Sequence, residues 1–246
     1  MAKMRADVLL VQRGLFESRA QAQAAILAGA VRVGADRVVK NAGEPWDEAT
    51  EFTVLAANPY VSRAAAKLLP ALDAHLPRLD GLVALDVGAS TGGFTDLMLQ
   101  RGAAKVYAVD VGHGQLHYRL RQDPRVVALE GVNARFLGTA EVPQPVDVLT
   151  ADVSFISLRL VLPPAAKLLR PGAWAFTLVK PQFEAGRAEV GKGGVVRSDA
   201  VRARVATELQ EFCRATLGWT VVAAYDSPIT GPKGNRETVA VFRAPE

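Results

Sequence analysis

The chain has 246 residues, 50% of them hydrophobic and 22% charged, which suits one large domain or a mid-sized domain with a small one. One cysteine excludes an internal disulfide framework, and with three histidines it leaves little material for a structural zinc site. No signal-peptide core opens the chain and no uncharged apolar run approaches the ~18 residues of a spanning helix. A soluble, cytoplasmic protein is therefore expected, and its net charge of +4 permits a polyanionic partner without requiring one.

The basic excess is concentrated. Residues 1–43 carry seven Lys/Arg against three acids, as large an excess as the whole chain's. Val8, Leu9, Val11 and Leu15 predict a short helix ending at Gly14. Ser18-Arg19-Ala20-Gln21 reads as a capping box opening a second helix, with Ala22, Ala25 and Ile26 on its apolar face and Gly29 as C-cap. Val31–Gly34 and Arg37–Lys40 alternate as strands around a Gly-Ala-Asp turn, and Glu51–Leu55 could be a third strand. This order, over about residues 4–56, resembles the small RNA-binding S4 domain. The resemblance implies that Arg and Lys face structured RNA, with Arg5, Arg13, Arg19, Arg32 and Lys40 as candidates. A solvated surface is the plainer reading of each charge taken singly.

Ala56-Ala57-Asn58-Pro59-Tyr60 reads as a linker, because the residue before proline is driven out of the helical region. The expected division is residues 1–57, a linker at 58–61, and residues 62–246. Ser62 is a candidate cap for a helix starting at Arg63, carrying Lys67 and kinked at Pro70. Strand candidates then follow at Val83–Val87, Lys105–Asp110, Arg125–Leu129, Val146–Ala151, Ala173–Lys180, Thr220–Tyr225 and Glu237–Arg243. Helical stretches such as Phe94–Arg101 and Arg202–Thr216 lie between them. The first strands are almost continuously apolar, which suits a parallel sheet covered on both faces. The expected class is α/β, a Rossmann-like seven-stranded sheet with a small α+β N-terminal domain.

Asp86-Val87-Gly88-Ala89-Ser90-Thr91-Gly92-Gly93-Phe94 joins a strand to a helix through small residues. Its glycines would let a ligand approach the backbone, at the crevice where open α/β sheets bind ligands. The dinucleotide spacing G-x-G-x-x-G fails here. Asp110 ends the second strand, where a carboxylate can take ribose hydroxyls. Together these features resemble methyltransferases that use S-adenosylmethionine. Asp152 and Lys180 follow later strands at the same carboxyl edge, and Glu237 reaches it if the last strand is antiparallel.

Further stretches extend the resemblance over essentially the whole chain: Val61-Ser62-Arg63 with Lys67, Asp110 to Leu116, Asn133-Ala-Arg135, Asp152 to Leu158, Val179 to Glu184, and Gly234 to Glu237. The chain resembles the TlyA family, haemolysin-A-like ribosomal-RNA methyltransferases of the FtsJ-like group. That resemblance implies 2′-O-methylation of an rRNA ribose, a cytidine, and carries the family's Lys-Asp-Lys-Glu tetrad onto Lys67, Asp152, Lys180 and Glu237. It also implies S-adenosylmethionine over Asp86 and Gly88 to Phe94, with Asp110 at the ribose and Asn133 by the adenine. The linker lacks the Arg and Trp of some members. The short termini look more like members that modify large-subunit RNA alone.

Within this chemistry Lys180 is the candidate general base. A free lysine is mostly charged at neutral pH, so burial or the nearby Lys67 must favour the neutral amine, while Asp152 and Glu237 oppose that. A charged Lys180 would instead stabilise developing oxyanion character. Arg63, Lys192, Arg197, Lys233 and Arg236 join Lys40 as candidates for backbone phosphates. Gly186 to Gly193 nearly spells a P-loop but lacks its final Ser/Thr, so residues 184–197 read instead as a mobile, basic lid. His113 and His117 have helical metal-ligand spacing without a third ligand, and Cys213 lies far from the motif edge. No metal is expected. Direct membrane lysis finds no spanning helix or amphipathic face to support it. A non-catalytic assembly factor would be favoured by loss of a tetrad residue, and all four are present.

Overall fold

The computed structural model describes residues 3–34, 37–55 and 58–246, so the Ala35-Asp36 turn and the Ala56-Ala57 part of the linker lie outside the described residues. The chain forms two compact units, Met1–Pro59 and Tyr60–Glu246.

In the first unit, α1 (Ala6–Gln12) and α2 (Arg19–Leu27) are followed by β2 (Val31–Val33), β3 (Arg37–Val38) and β5 (Phe52–Val54), joined in the antiparallel order β3-β2-β5. Two strands escape the sequence pattern: β1 (Lys3–Arg5) pairs antiparallel with β4 (Pro45–Asp47). Ala6, Leu9, Leu10, Ala22, Ile26, Val31, Val39 and Trp46 form the core. Leu15 falls beyond α1 and is exposed, because the helix stops before Gly14, whose φ is +68°. The expected capping box is only half made. Ser18 Oγ accepts from Gln21 N at 3.3 Å, but the Gln21 side chain accepts from Glu17 N rather than from Ser18.

The second unit is one seven-stranded sheet with helices on its faces. Its elements run α3 (Ala65–His75), β6 (Val83–Val87), α4 (Gly93–Gln100), β7 (Lys105–Asp110), α5 (Tyr118–Arg121), β8 (Val126–Glu130), β9 (Val146–Ala151), α6 (Leu158–Ala166), β10 (Leu169–Val179), α7 (Pro181–Glu184), α8 (Asp199–Leu217), β11 (Thr220–Asp226) and β12 (Thr238–Arg243). The order across the sheet is β11-β12-β10-β9-β6-β7-β8. Neighbours from β10 to β8 run parallel, whereas β12 is antiparallel to both β10 and β11. That reversal brings the start of β12, and with it Glu237, to the carboxyl edge of the parallel strands.

Two apolar clusters cover the sheet. One holds Leu85, Val87, Leu149, Val161, Leu209 and Phe242, and the other Leu68, Leu72, Leu97, Met98, Phe176 and Val241. Helix α3 begins two residues later than its sequence suggests, since Ser62 Oγ accepts from Ala64 N and closes a turn before the helix. It then continues through Pro70. Strand β10 starts earlier than expected, with an irregular register between Leu169 and Trp174, and ends just before Lys180.

Candidate active site

Three cavities meet at the carboxyl edge. The first, about 520 Å³, lies along Gly88, Ser90, Asp110, Gln115, Asn133 and Ser154, with apolar walls from Val132, Val153 and Ile156. A second, about 480 Å³, is lined by Ser154, Phe155, Lys180, Gln182, Phe183, Gly194, Lys233, Asn235 and Glu237. A smaller one of about 210 Å³ adjoins both and touches Lys67, Gly88, Asp152, Ser154 and Lys180.

The four charged residues come together as two ion pairs. Lys180 Nζ is 2.5 Å from Asp152 Oδ1, and Lys67 Nζ is 2.7 Å from Glu237 Oε2. Lys67, Lys180 and Glu237 are buried, and Asp152 is half-buried. Each element contributes through its end: Lys67 from the first turn of α3, Asp152 after β9, Lys180 between β10 and α7, Glu237 before β12. Breaking either pair would strand a charge in a poorly solvated place, so these contacts hold one another in position.

The glycine turn has a different cause from the one its sequence suggests. A Cβ on Gly88 (φ +85°) would lie 2.5 Å from the Asp152 carbonyl oxygen. One on Gly92 (φ +97°) would strike Leu120 and Leu116, and one on Gly93 would meet Ala64 and Ser62. These glycines admit neighbouring protein as much as a ligand. Ser90, also at positive φ (48°), and Gly88 line the first cavity, whereas Gly92 packs against Leu116 and Leu120, and Gly93 packs against the turn before α3 and lines the third cavity. Phe94 is buried under the turn, Ala89 nearly so, and Thr91 anchors the next loop by accepting from His117 N at 3.1 Å.

Asp110 accepts from Ser90 N and from Gly112 N, both at 2.8 Å, and so ties the turn after β6 to the loop after β7. Asn133 caps the short turn Ala134–Phe136 by accepting from Arg135 N at 3.1 Å. Asp86 braces the sheet beneath the third cavity, which it helps line. It is fully buried and takes hydrogen bonds from Thr95 Oγ1 (2.7 Å) on α4 and Thr150 Oγ1 (2.9 Å) on β9. Burial, with the Asp152 charge adding to it, pushes this carboxyl up to about 6.

A raised carboxyl binds its proton more tightly folded than unfolded. Its contribution to stability therefore falls as pH rises from about 4 through about 6. Asp86→Asn can remake both threonine hydrogen bonds without the buried charge. The variant is expected to lose this pH dependence and to gain of the order of 3 kcal/mol relative to wild type between pH 4 and pH 8. Thermal unfolding across that range checks it: parallel Tm profiles for the two proteins would refute the assignment.

In the N-terminal unit the candidate arginines divide. Asp7, fully buried, accepts from Arg5 Nε (3.0 Å) and Nη2 (3.1 Å), from Arg19 Nη2 (3.0 Å) and from Gln23 Nε2 (2.6 Å). The Arg5 guanidinium first, then Gln23 and Arg19, hold this carboxyl well below its usual range against the opposing effect of burial. Both guanidinium groups keep about half their surface in solvent, so they are oriented but still accessible. Arg13 is instead committed to the carbonyls of Glu48 and Thr50. That makes it a staple for the turn before β5 rather than a free RNA contact. Arg32 is half-buried on β2, and Lys40 is exposed. In the second unit Arg63, Lys192, Arg197, Lys233 and Arg236 are all exposed.

Cys213 is buried in α8, and desolvation pushes its thiol up to about 12, far from a reactive thiolate. His117 caps α5 by accepting from Arg119 N. Among the described residues no group of three metal-ligating side chains occurs, and no helix is long and apolar enough to cross a membrane. The segment expected to be a mobile lid is pinned at three points. Glu184 accepts from Ser157 Oγ and Leu158 N, both at 2.6 Å; Glu189 pairs with Arg204 at 2.6 Å; and Asn235 accepts from Val196 N and donates to Gly194 O. Sequence reasoning assigned no role to Ser154, Gln182 or Asn235, because a neutral polar residue in a loop carries no periodicity or charge to mark it.

A seven-stranded sheet with one reversed strand, a glycine turn after its central strand and an acid after the next is the fold of S-adenosylmethionine-dependent methyltransferases. The comparisons agree. The FtsJ-like methyltransferase family matches residues 60–244, and the S4 domain matches residues 4–45. The 16S/23S rRNA (cytidine-2′-O)-methyltransferase TlyA of Mycobacterium tuberculosis is 47% identical over 96% of this chain and 88% of its own. Hemolysin A of Brachyspira hyodysenteriae is 42% identical over 97% of this chain and 99% of its own. A solved structure from Streptococcus thermophilus, described as a candidate hemolysin, superposes with TM-score 0.77 at 41% identity, covering 100% of this chain and 90% of the other. The chain belongs to the TlyA family of FtsJ-like methyltransferases.

Proposed function

We propose that this protein methylates the 2′-hydroxyl of a ribose in ribosomal RNA, with cytidine as the nucleoside and large-subunit RNA as the favoured acceptor. It works in the cytoplasm, with residues 1–57 as the RNA-binding domain, 58–61 as linker and 62–246 as the methyltransferase domain. The observation that carries this reading is the place of Lys180. Its buried amine, paired with Asp152, lies in the wall shared by the second and third cavities, beside the loop that lines the first.

The first cavity fits the cofactor by its lining: a carboxylate and a side-chain amide beside apolar walls suit a nucleoside. Asp110 would hold the ribose, Asn133, Val132, Val153 and Ile156 the adenine, and Gly88 and Ser90 the amino-acid end. Bound there, S-adenosylmethionine would supply an electrophilic methyl group for the acceptor oxygen. The protein's task is alignment and removal of the acceptor proton. Lys180 takes that proton on its amine lone pair, leaving the O–H pair on the oxygen. Asp152 orients Lys180, and the Lys67–Glu237 pair builds the neighbouring wall.

Labelled S-adenosylmethionine incubated with unmodified small and large subunits tests the reading. The expected result is label at an alkali-resistant linkage in large-subunit RNA. Label on a base overturns the acceptor, label in the small subunit alone overturns the subunit preference, and no transfer overturns the function. RNA attachment has its own test. Reversing the charge of Lys192, Arg197, Lys233 or Arg236 is expected to weaken RNA binding and to lower its salt slope by about one for each phosphate no longer engaged. Binding unchanged in all four would remove these residues from the interface.

A further inference from the structure

The geometry points to Ser154 as a positioning residue for Lys180: with Asp152 it fixes two directions around the amine and thereby aims the third at the acceptor hydroxyl. This rests on the reading of Lys180 as the base.

Lys180 Nζ donates to Ser154 Oγ at 2.9 Å and lies 2.5 Å from Asp152 Oδ1. A lysine nitrogen is tetrahedral. Beyond Cε it has three positions, and in the neutral amine two carry hydrogens and one the lone pair. The Asp152 carboxylate can only accept, and Ser154 Oγ accepts from Nζ here, so the two take the N–H bonds and the lone pair is left at the remaining position. With Asp152 alone, rotation about Cε–Nζ would interchange the lone pair with an N–H that cannot accept a proton. The other lysine of the cluster does not compete, because Lys67 is engaged with Glu237.

The placement of Ser154 favours this role over a structural one. It is exposed, and among the described residues its hydroxyl has no hydrogen-bond partner other than Lys180. It lines all three cavities at the carboxyl edge. Ser157, three residues on, shows the contrast: its hydroxyl donates to Glu184 and accepts from Arg159 N at the start of α6.

The test is the single-turnover rate of methyl transfer to unmodified large subunits, measured with RNA affinity, S-adenosylhomocysteine affinity and Tm. Ser154→Ala is expected to slow transfer about 10- to 100-fold with both affinities and Tm unchanged. Ser154→Thr, which restores the hydroxyl, should recover most of the rate. Ser157→Ala should lower Tm instead. An unchanged rate in Ser154→Ala overturns the inference, as does a loss confined to either affinity, or a threonine variant as slow as the alanine one. Lys180→Ala measured in parallel separates the two readings: if it stays active the base assignment fails, and if it is inactive beside an unimpaired Ser154→Ala only the role of Ser154 fails.

Discussion

Lys180→Ala is expected to bind S-adenosylhomocysteine normally and to lose methyl transfer by about 10³-fold, the scale of a general base removed. The cavity proposed for the cofactor does not include the Lys180 side chain, so binding there should be indifferent to its loss. The removed amine leaves Asp152 without its cation in a poorly solvated place, so some stability is expected to be lost, and unaltered S-adenosylhomocysteine binding shows that the fold survives. Lys180→Arg separates the two chemical roles open to the residue. Arginine keeps the positive charge and can pair with Asp152, yet it cannot give up its proton near neutral pH. If Lys180 is the base, the arginine variant should be nearly as inactive as the alanine one. If a positive charge on the developing oxyanion is what matters, arginine should retain a substantial fraction of the rate. Radiolabel transfer to unmodified large subunits under single-turnover conditions reads both variants, and wild-type activity in Lys180→Ala would dismiss the residue from the chemistry.

Much of the edge on which this chemistry sits is legible in the sequence, for a physical reason. Strands β6, β7 and β9 are short apolar runs buried on both faces, so their limits coincide with the first charged or small residue beyond them. Asp110 and Lys180 stand out because they are charges at the ends of such runs, and Asp152 because it follows one; in a parallel sheet those ends share one edge. The N-terminal unit is less legible. Strands β1 and β4 are three residues each, contain Lys, Arg, Pro and Asp, and owe their existence to pairing across some forty residues, as Lys3 with Asp47. Their order comes from tertiary contact rather than local preference. Arg13 likewise looks like any surface arginine until the fold presents it with the carbonyls of Glu48 and Thr50. The glycine turn is legible as a turn but not in its cause, since a sequence cannot distinguish a glycine that admits a ligand from one that admits the carbonyl of Asp152.

That cause has a measurable consequence at Gly88. Gly88→Ala must place a methyl group 2.5 Å from the Asp152 carbonyl oxygen, a separation that something rigid has to relieve. The obstacle is backbone on the neighbouring strand's exit, so relief means moving either the turn after β6 or the segment carrying Asp152 to Phe155. The first displaces Ser90, which is held to Asp110, and with it the rim of the cofactor cleft. The second displaces Asp152 and Ser154, the two partners of Lys180. Positive φ adds strain of about 1–2 kcal/mol for any residue with a Cβ. Gly88→Ala is therefore expected to cost about 2–4 kcal/mol of stability, to weaken S-adenosylhomocysteine binding and to abolish transfer. Gly81→Ala supplies the control, because Gly81 has a similar φ of +77° with nothing within 4 Å of the added Cβ. It should show the strain alone, about 1–2 kcal/mol, with cofactor binding and transfer intact. Calorimetric titration and thermal unfolding of the two variants decide the matter. Equal losses of stability with binding intact in both would mean that the close approach of the Asp152 carbonyl to Gly88 is not what shapes the cleft.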